Sequence, residues 1–229
     1  MSRPSAELTT AAAPEPGPSQ LLVRCTGVSR TFRSGRAQVR AVREVDCAVA
    51  AGMRVALVGP SGSGKSTLLH LLAGLDRPTA GVVERSGSVG VVFQGPSLVP
   101  ALDVIENVAL PLLLAGVDEP EAVERAAAAL DRLELGGLAG ALPEALSGGQ
   151  AQRVAVARVL AGRPVLVLAD EPTGQLDREN ADHVVEVLAA AVDELGAALV
   201  VSTHDEAVAA RLDTRWEMAD GVLRRAAGR

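Results

Sequence analysis

Lysine, tyrosine and cysteine are scarce in this sequence of 229 residues. It has one lysine, no tyrosine and two cysteines, and its other 21 basic residues are arginine. Cys25 and Cys47 lack the spacing of a metal site, so we predict small core residues rather than a disulfide or redox pair. The net charge of −6 argues against a general nucleic-acid-binding surface.

Long apolar runs are also absent. A helix needs about 20 apolar residues to cross a bilayer. The nearest candidate, residues 108–117, is shorter and is interrupted by Pro111. No secretory signal is visible. We therefore expect a soluble, intracellular protein that reaches a membrane only through a partner.

Regular structure is predicted to begin near residue 21. Residues 1–20 are rich in Ala, Pro, Ser and Thr, which predicts a disordered tail. Residues 21–229 are then expected to form a single domain. The following stretches have the composition of strands: residues 21–25, 39–43, 54–58, 89–93, 165–169 and 197–201. Because the later strands are buried and alternate with helices, they predict an α/β fold with a mainly parallel sheet.

Helix ends carry their own signals. Three pairs have the spacing of a capping box: Asp103 with Glu106, Asp118 with Glu121, and Ser147 with Gln150. The first two pairs precede helices that interrupt the α/β pattern, so a helical sub-lobe is predicted over about residues 96–160. Gly74 and Gly196 are predicted to end helices, and Asp220-Gly221 predicts a hairpin turn.

The strongest chemical signal is GPSGSGKST at residues 59–67, called the phosphate loop below. It fits the pattern G-x-x-x-x-G-K-[ST], between an apolar strand and an apolar helix. Backbone N–H groups of such a loop cradle phosphates, the helix dipole favours anions, and a hydroxyl can bind Mg²⁺. The only lysine falls where a compact charge must meet phosphate, which argues against a chance glycine-rich turn. We assign nucleotide binding to the whole loop: Gly59, Pro60, Ser61, Gly62, Ser63, Gly64, Lys65, Ser66 and Thr67.

Two acids close the predicted strand at residues 165–169. In phosphate-loop ATPases an acid at this position holds Mg²⁺, which fits Asp170. The next acid, Glu171, could orient and deprotonate the attacking water. Alone, the pair could be two solvated acids at a strand end. Together with the phosphate loop, it indicates nucleotide hydrolysis.

A second glycine-rich helix start is LSGGQ at residues 146–150. Gly148 and Gly149 would let another phosphate approach the helix N-terminus. One nucleotide cannot occupy two helix starts of one small domain from opposite sides. Two copies arranged head to tail could solve this, each covering the nucleotide of its partner with Ser147, Gly148, Gly149 and Gln150.

In their order along the chain, GPSGSGKST, Gln94, LSGGQ, VLVLADEPTG, Leu176-Asp177 and His204 resemble the ATP-binding subunit of an ABC transporter. The resemblance covers roughly residues 21–223. GLDRPTAG, VVFQ, IENVALPLLLAG and ADEPTG resemble the branch that serves lipoprotein-release and macrolide-export permeases. The resemblance implies a P-loop NTPase fold with an N-terminal antiparallel β-lobe and a helical sub-lobe that carries LSGGQ.

The resemblance also implies residue roles. Gln94 would contact Mg²⁺ and sense the membrane subunit, Asp177 would link the two sites of the dimer, and His204 would lie near the γ-phosphate. The implied catalytic residues are Glu171, Lys65, His204 and Gln94, and the implied Mg²⁺ ligands are Ser66, Gln94 and Asp170. His70 and His183 have no such context and are expected to be structural or exposed.

Three features depart from the family pattern. In the family, adenine often stacks on a Tyr side chain. Here the aromatic residue available is Phe32, and its ring suffices because stacking needs only a π-face. Gln175 stands where this branch often has Asn. The segment at residues 81–94 is shorter than the usual strand-rich connection, so a trimmed β-lobe is expected there.

The leading hypothesis is an ATPase that closes as a dimer, expected to be of identical chains, around two Mg-ATP. It would drive separate membrane permease subunits from the cytoplasmic face, with a leaning towards export or lipid extraction. One alternative is a soluble ABC ATPase that acts on nucleic acid or ribosomes, although a second cassette, a long coiled coil and zinc cysteines are missing from the sequence. Another is a regulatory module that gates a cell-wall enzyme through a permease-like protein.

Overall fold

The computed structural model describes residues 21–225 except Arg36 and Gln175. The predicted tail at residues 1–20 and the departure at Gln175 lie outside the described residues. The strands are β1 (Leu21–Ser34), β2 (Ala37–Ala50), β3 (Arg54–Val58), β4 (Ala80–Arg85), β5 (Val89–Val92), β6 (Leu166–Asp170), β7 (Ala198–Thr203), β8 (Thr214–Ala219) and β9 (Val222–Arg225). The α-helices are α1 (Lys65–Ala73), α2 (Val104–Leu114), α3 (Glu119–Arg132), α4 (Gly148–Leu160), α5 (Arg178–Glu194) and α6 (Glu206–Ala209).

Strands β2, β1 and β4 form an antiparallel three-stranded sheet in that order. The short stretches predicted at residues 21–25 and 39–43 are parts of two 14-residue strands. Cys25 faces Cys47 across this pair, and both are buried and form no disulfide, which confirms the prediction of small core residues. A hydrogen bond with Cys47 lowers the pKa of the Cys25 thiol.

A six-stranded sheet has the order β5-β6-β7-β3-β8-β9, parallel except for β9. The predicted mainly parallel α/β fold is therefore confirmed. β6 and β7 are buried along their whole length, as expected for central strands covered on both faces. The prediction of a buried strand at residues 89–93 is wrong in one respect. β5 lies at the sheet edge, and only Val92 of its four residues is buried.

The hydrophobic core lies on both faces of the six-stranded sheet. Side chains of successive strand residues point to opposite faces. Leu166 and Leu168 of β6 accordingly pack with the three-stranded sheet and α1. Val167 and Ala169 pack instead with residues of α2, α3, α4 and α5. This helical layer carries the start of α4, where LSGGQ lies.

The helix caps agree with the sequence in two of three cases. Capping boxes form at Asp103 with Glu106 and at Ser147 with Gln150, as predicted. The third prediction is wrong, because Asp118 makes no side-chain cap hydrogen bond. Here the second helical residue is Pro120, which has no N–H to offer, and the carboxylate of Glu121 lies 3.5 Å from the Arg125 guanidinium.

The predicted chain reversals are also present. Gly74 caps α1 with φ +79°, and Gly196 follows the end of α5 with φ +62°. Asp220 and Gly221 both have positive φ, as the two-residue hairpin between β8 and β9 requires. In the described part of the chain, the helices are too short or too polar for any of them to cross a membrane.

Asn107 fastens the start of α2 to the loop before it. Its fully buried amide accepts from the Val99 N–H at 2.7 Å and donates to the carbonyls of Val99, Leu102 and Asp103 at 3.1, 2.9 and 2.9 Å. We expect Asn107→Ala to lower the free energy of unfolding by about 3 kcal/mol, because buried backbone groups lose their partners. Chemical denaturation would measure this. The control is Gln38→Ala, an exposed amide on β2 that should change stability by less than about 0.5 kcal/mol. Equal effects of the two substitutions would contradict the prediction.

Candidate active site

The site lies at the end of the six-stranded sheet where the carboxyl ends of β3, β5, β6 and β7 lie side by side. Parallel strands bring their carboxyl ends together, and ligands bind in α/β proteins at such an edge. A cavity of about 290 Å³ opens there. The phosphate loop, Gln94 and Glu171 line it together, although they are far apart in sequence. A neighbouring cavity of about 370 Å³ shares Glu171 and continues towards His204.

The phosphate loop needs glycine at two positions for steric reasons. Gly59 and Gly64 have φ of +153° and +106°. A Cβ atom on Gly59 would overlap the carbonyl oxygen of Met218, and one on Gly64 would overlap that of Ala41. The loop is therefore held tightly between β8 and β2, with its shape fixed by backbone contacts.

The start of α1 has the features of an anion-binding site. The N-cap is Gly64, which provides no side-chain cap, so the N–H groups of the first turn keep their capacity to donate. Lys65 is only 5% exposed, and its ammonium donates to the carbonyls of Gly59 at 2.9 Å and Pro60 at 3.2 Å. Free amide donors and a positive charge at one helix start suit a phosphate chain.

Glu171 has an unusual backbone at the end of β6. Its φ is +44°, in the left-handed region, which is strained for this residue and persists only where neighbouring bonds fix it. Its N–H donates to the carbonyl of Ser202 at 3.0 Å and to its hydroxyl at 3.1 Å. The Glu171 carboxylate lies 3.7 Å from the Lys65 ammonium and 3.5 Å from Nδ1 of His204. The carboxylate thus joins the phosphate loop to the loop after β7.

Asp170 is buried beside Glu171 and has a partner that the sequence analysis missed. The Ser202 hydroxyl donates to Asp170 Oδ1 at 2.5 Å. The two residues face each other in the register of β6 and β7. In the sequence, the only indication of this contact was a hydroxyl residue at the end of an apolar run. That Ser202 meets Asp170 follows only from the order of the strands in the sheet.

The expected Mg²⁺ ligands are an acid, a hydroxyl and an amide: Asp170, Ser66 and Gln94. All three offer oxygen, the donor that Mg²⁺ prefers, and Mg²⁺ commonly takes one or two carboxylates, leaving other positions to phosphate and water. Within residues 21–225 as described, no group of three His, Cys, Asp or Glu side chains could hold a metal. One acid, one hydroxyl and one amide fit a Mg²⁺ ion that takes its other ligands from phosphate and water.

His204 projects from a loop that is anchored to β8. Its side chain is largely exposed. Arg215 of β8 contacts Glu206 at 2.5 Å, just after His204, and Glu217 at 3.0 Å. The hydrogen bond from Arg215 lowers the pKa of the Glu206 carboxyl. The Arg215–Glu206 pair therefore links the segment after His204 to β8, whereas the Arg215–Glu217 pair lies within β8.

Two residues of α4 hold the loop that carries Gln94, and the sequence analysis missed both. Gln152 donates to the carbonyl of Phe93 at 3.1 Å. Arg158 donates to the carbonyls of Pro96 and Ser97, each at 2.9 Å, and burial lowers the pKa of its guanidinium. The helix that begins with LSGGQ is thus bonded to the backbone on both sides of Gln94.

LSGGQ and Asp177 do not line the phosphate-loop cavity of the same chain, although Gly148 lines a small cavity together with Gln94. Ser147 and Gly148 are exposed at the start of α4, while Gly149 is buried against Asn180. The Gln150 side chain accepts from the Ser147 N–H at 2.8 Å. Asp177 caps α5, accepting from the Asn180 N–H at 2.9 Å. This placement is what a head-to-tail pair of chains requires.

Phe32 lies on the β1–β2 hairpin and is 41% exposed. The Arg30 guanidinium lies 4.5 Å from the centre of its ring and is itself held by Asp76 at 2.8 Å. Of the other histidines, His70 lies 6.3 Å from the ring of Phe93, and both His70 and His183 are half-buried.

The chain is similar to known proteins both in sequence and in fold. The ABC transporter family model matches residues 42–174. The lipoprotein-releasing system ATP-binding protein LolD of Shewanella sp. (strain MR-4) is 40% identical over 220 residues, covering 89% of this chain and 95% of the relative. LolD of Legionella pneumophila (strain Paris) is 40% identical over 211 residues, covering 85% and 93%. The dimeric post-hydrolysis structure of the ATP-binding cassette MJ0796, bound to ADP and Pi, is 34% identical with a TM-score of 0.81, covering 89% of this chain and 98% of that chain.

Proposed function

This chain belongs to the ABC transporter family as an ATP-hydrolysing cassette, and on that basis we propose that it powers a membrane permease of the lipoprotein-release type. The observation that carries the proposal is the meeting of the phosphate loop, Gln94 and Glu171 in one cavity, with LSGGQ held outside it. The relatives named for lipoprotein release support the choice of permease.

In the proposed reaction, Lys65 and the amides of the phosphate loop bind the phosphates of ATP. Glu171 accepts a proton from water as the water oxygen forms a bond to the γ-phosphorus, and the bond from that phosphorus to the bridging oxygen breaks. The products are ADP and inorganic phosphate. His204, 3.5 Å from the Glu171 carboxylate, orients it. When bound, Mg²⁺ would neutralise phosphate charge, and Ser66, Gln94 and Asp170 would hold it.

The proposed working unit is a head-to-tail pair of identical chains around two ATP. Each chain would offer Ser147 and Gly148 at the exposed start of α4 to the nucleotide of its partner. Asp177 would connect the two sites, and Phe32 would stack on adenine. The dimeric cassette MJ0796 supports this arrangement by analogy.

The membrane partner is proposed to dock beside the loop after β5, from the cytoplasmic face. Leu113 and Leu114 at the end of α2 are 40% and 80% exposed, and Val99 of the preceding loop is 37% exposed. Large exposed apolar side chains commonly mark interaction sites. Because Arg158 bonds the same loop to α4, a permease that moves it would also move LSGGQ.

Affinity purification from native membranes tests this proposal. Glu171→Gln protein with Mg-ATP should retain a multi-span permease with an extracytoplasmic domain. The control adds Leu113→Arg and Leu114→Arg, which should release the permease and leave the ATP-bound dimer intact. Recovery of ribosomal or DNA-associated proteins alone would overturn the transporter proposal while leaving the ATPase activity as it is.

A further inference from the structure

The hydroxyl of Ser202 contacts both Asp170, the last residue of β6, and Glu171, which follows it. Ser202 is on β7 and is 0% exposed. Its Oγ donates to Asp170 Oδ1 at 2.5 Å and accepts from the Glu171 N–H at 3.1 Å. A single atom therefore contacts both residues to which cation binding and proton transfer are assigned.

The direction of these bonds follows from chemistry. A hydroxyl has one proton to donate, an ionised carboxylate can only accept, and a backbone N–H can only donate. The Ser202 proton must therefore point at Asp170, and an oxygen lone pair must face Glu171. A hydroxyl in an apolar strand is costly unless it is bonded. Every residue of β7 is buried, so both bonds are needed to offset the burial of Ser202.

We propose that Ser202 is a positioning residue for the hydrolysis site. Its donor fixes the Asp170 carboxylate and leaves Oδ2 available to a cation. Its acceptor helps to hold the left-handed backbone of Glu171, which sets the direction of that side chain. The inference rests on the roles proposed above for Asp170 and Glu171.

The two acids depend on the hydroxyl to different degrees. The Glu171 N–H also donates to the backbone carbonyl of Ser202 at 3.0 Å, a bond that no substitution of the side chain removes. Asp170 has no such duplicate from Ser202. Loss of the hydroxyl should therefore impair cation binding first and turnover second.

The test compares Ser202→Thr with Ser202→Val. The two variants have nearly the same shape, and both β-branched side chains suit a strand, but only Thr keeps the hydroxyl. We expect Val to raise the Mg²⁺ concentration for half-maximal hydrolysis by about tenfold, as when an outer partner of a metal ligand is lost, and to lower kcat by a smaller factor. KM for ATP at saturating Mg²⁺ should change by less than about twofold. Thr should rescue both quantities.

A second readout does not depend on turnover. Mn²⁺ binding, followed by electron paramagnetic resonance with a non-hydrolysable ATP analogue, should weaken about tenfold in Val and stay near wild type in Thr. Equal behaviour of Val and Thr in both assays would overturn the inference, because shape alone would then explain the result. If neither variant folds, Ser202→Ala against wild type in the same two assays decides the question.

If the roles proposed for Asp170 and Glu171 were wrong, the same assays would give a different result. Asp170→Asn should weaken Mn²⁺ binding, and Glu171→Gln should slow turnover about a thousandfold, in the same assays. If those variants behave like wild type, the proposed roles are wrong. If they behave as proposed while Val matches Thr, only the role of Ser202 is wrong.

Discussion

Glu171→Gln should slow ATP turnover about a thousandfold and trap an ATP-bound dimer. The substitution keeps the shape of the side chain but removes the carboxylate that would accept a proton from water, a contribution typically worth 10²–10⁴ in rate. The left-handed backbone at Glu171 is fixed by bonds from its N–H to Ser202, which the variant retains. Nucleotide binding should therefore survive. Phosphate release would measure turnover, and size-exclusion chromatography with Mg-ATP would reveal the dimer.

The matched control for this variant is Glu84→Gln. Glu84 is an exposed carboxylate on β4, so the control makes the same chemical change away from the cavity. It should hydrolyse ATP like wild type and should not accumulate as an ATP-bound dimer. Wild-type turnover in Glu171→Gln would rule out Glu171 as the base.

Lys65→Met should weaken ATP binding by at least about a hundredfold. Lys65 is the only lysine in the chain, and its ammonium is held over the phosphate loop by the carbonyls of Gly59 and Pro60. A hydrogen bond to a charged group contributes about 1.5–3 kcal/mol, so loss of contacts to two phosphates would account for this factor. Met preserves the length of the side chain and removes the charge. Isothermal titration with ATP would measure the change.

Lys65→Arg should be nearly as harmful, although it keeps the charge. A guanidinium is a planar fork rather than a compact point charge, and the Lys65 site is nearly closed. Arg77→Met, at an exposed position after α1, controls for the loss of one positive charge and should bind ATP normally. Full affinity in Lys65→Arg would show that charge alone is sufficient.

The two variants separate binding from chemistry. Lys65 substitution should remove affinity before any step can occur, whereas Glu171 substitution should lower kcat with little change in affinity. Interactions present in both the bound substrate and the transition state change binding, while those present only in the transition state change turnover. We therefore predict separate effects for the two residues, even though their charged groups lie 3.7 Å apart.

Local sequence signals predicted much of this fold. The buried strand at residues 54–58 and the capping boxes at Asp103 and Ser147 depend on residues that are neighbours in sequence. The prediction at Asp118 was wrong: Pro120 removes one of the two N–H groups that an N-cap side chain can use, and Glu121 pairs with Arg125. The burial of β5 was overestimated because an edge position depends on strand order, which composition does not encode.

The site could be predicted where a motif is continuous, and not where it depends on pairing across the sheet. GPSGSGKST and LSGGQ are each read from one stretch of sequence. Ser202 meets Asp170 only because β6 and β7 are adjacent and in a particular register. Arg158 meets the loop beside Gln94 only because α4 packs next to it, about 60 residues away in sequence. Such contacts depend on tertiary structure alone.

Because the chain has a single lysine, cleavage at that residue can report how much of the protein has bound nucleotide. A lysine-specific protease has one target in this sequence, the peptide bond after Lys65. That bond lies in the first turn of α1, so cutting requires the loop and helix to open locally. A ligand that binds only the closed form suppresses such opening in proportion to its occupancy. The ratio of cleaved to intact chain would then report how much of the protein holds nucleotide, without a label and even within an intact membrane assembly.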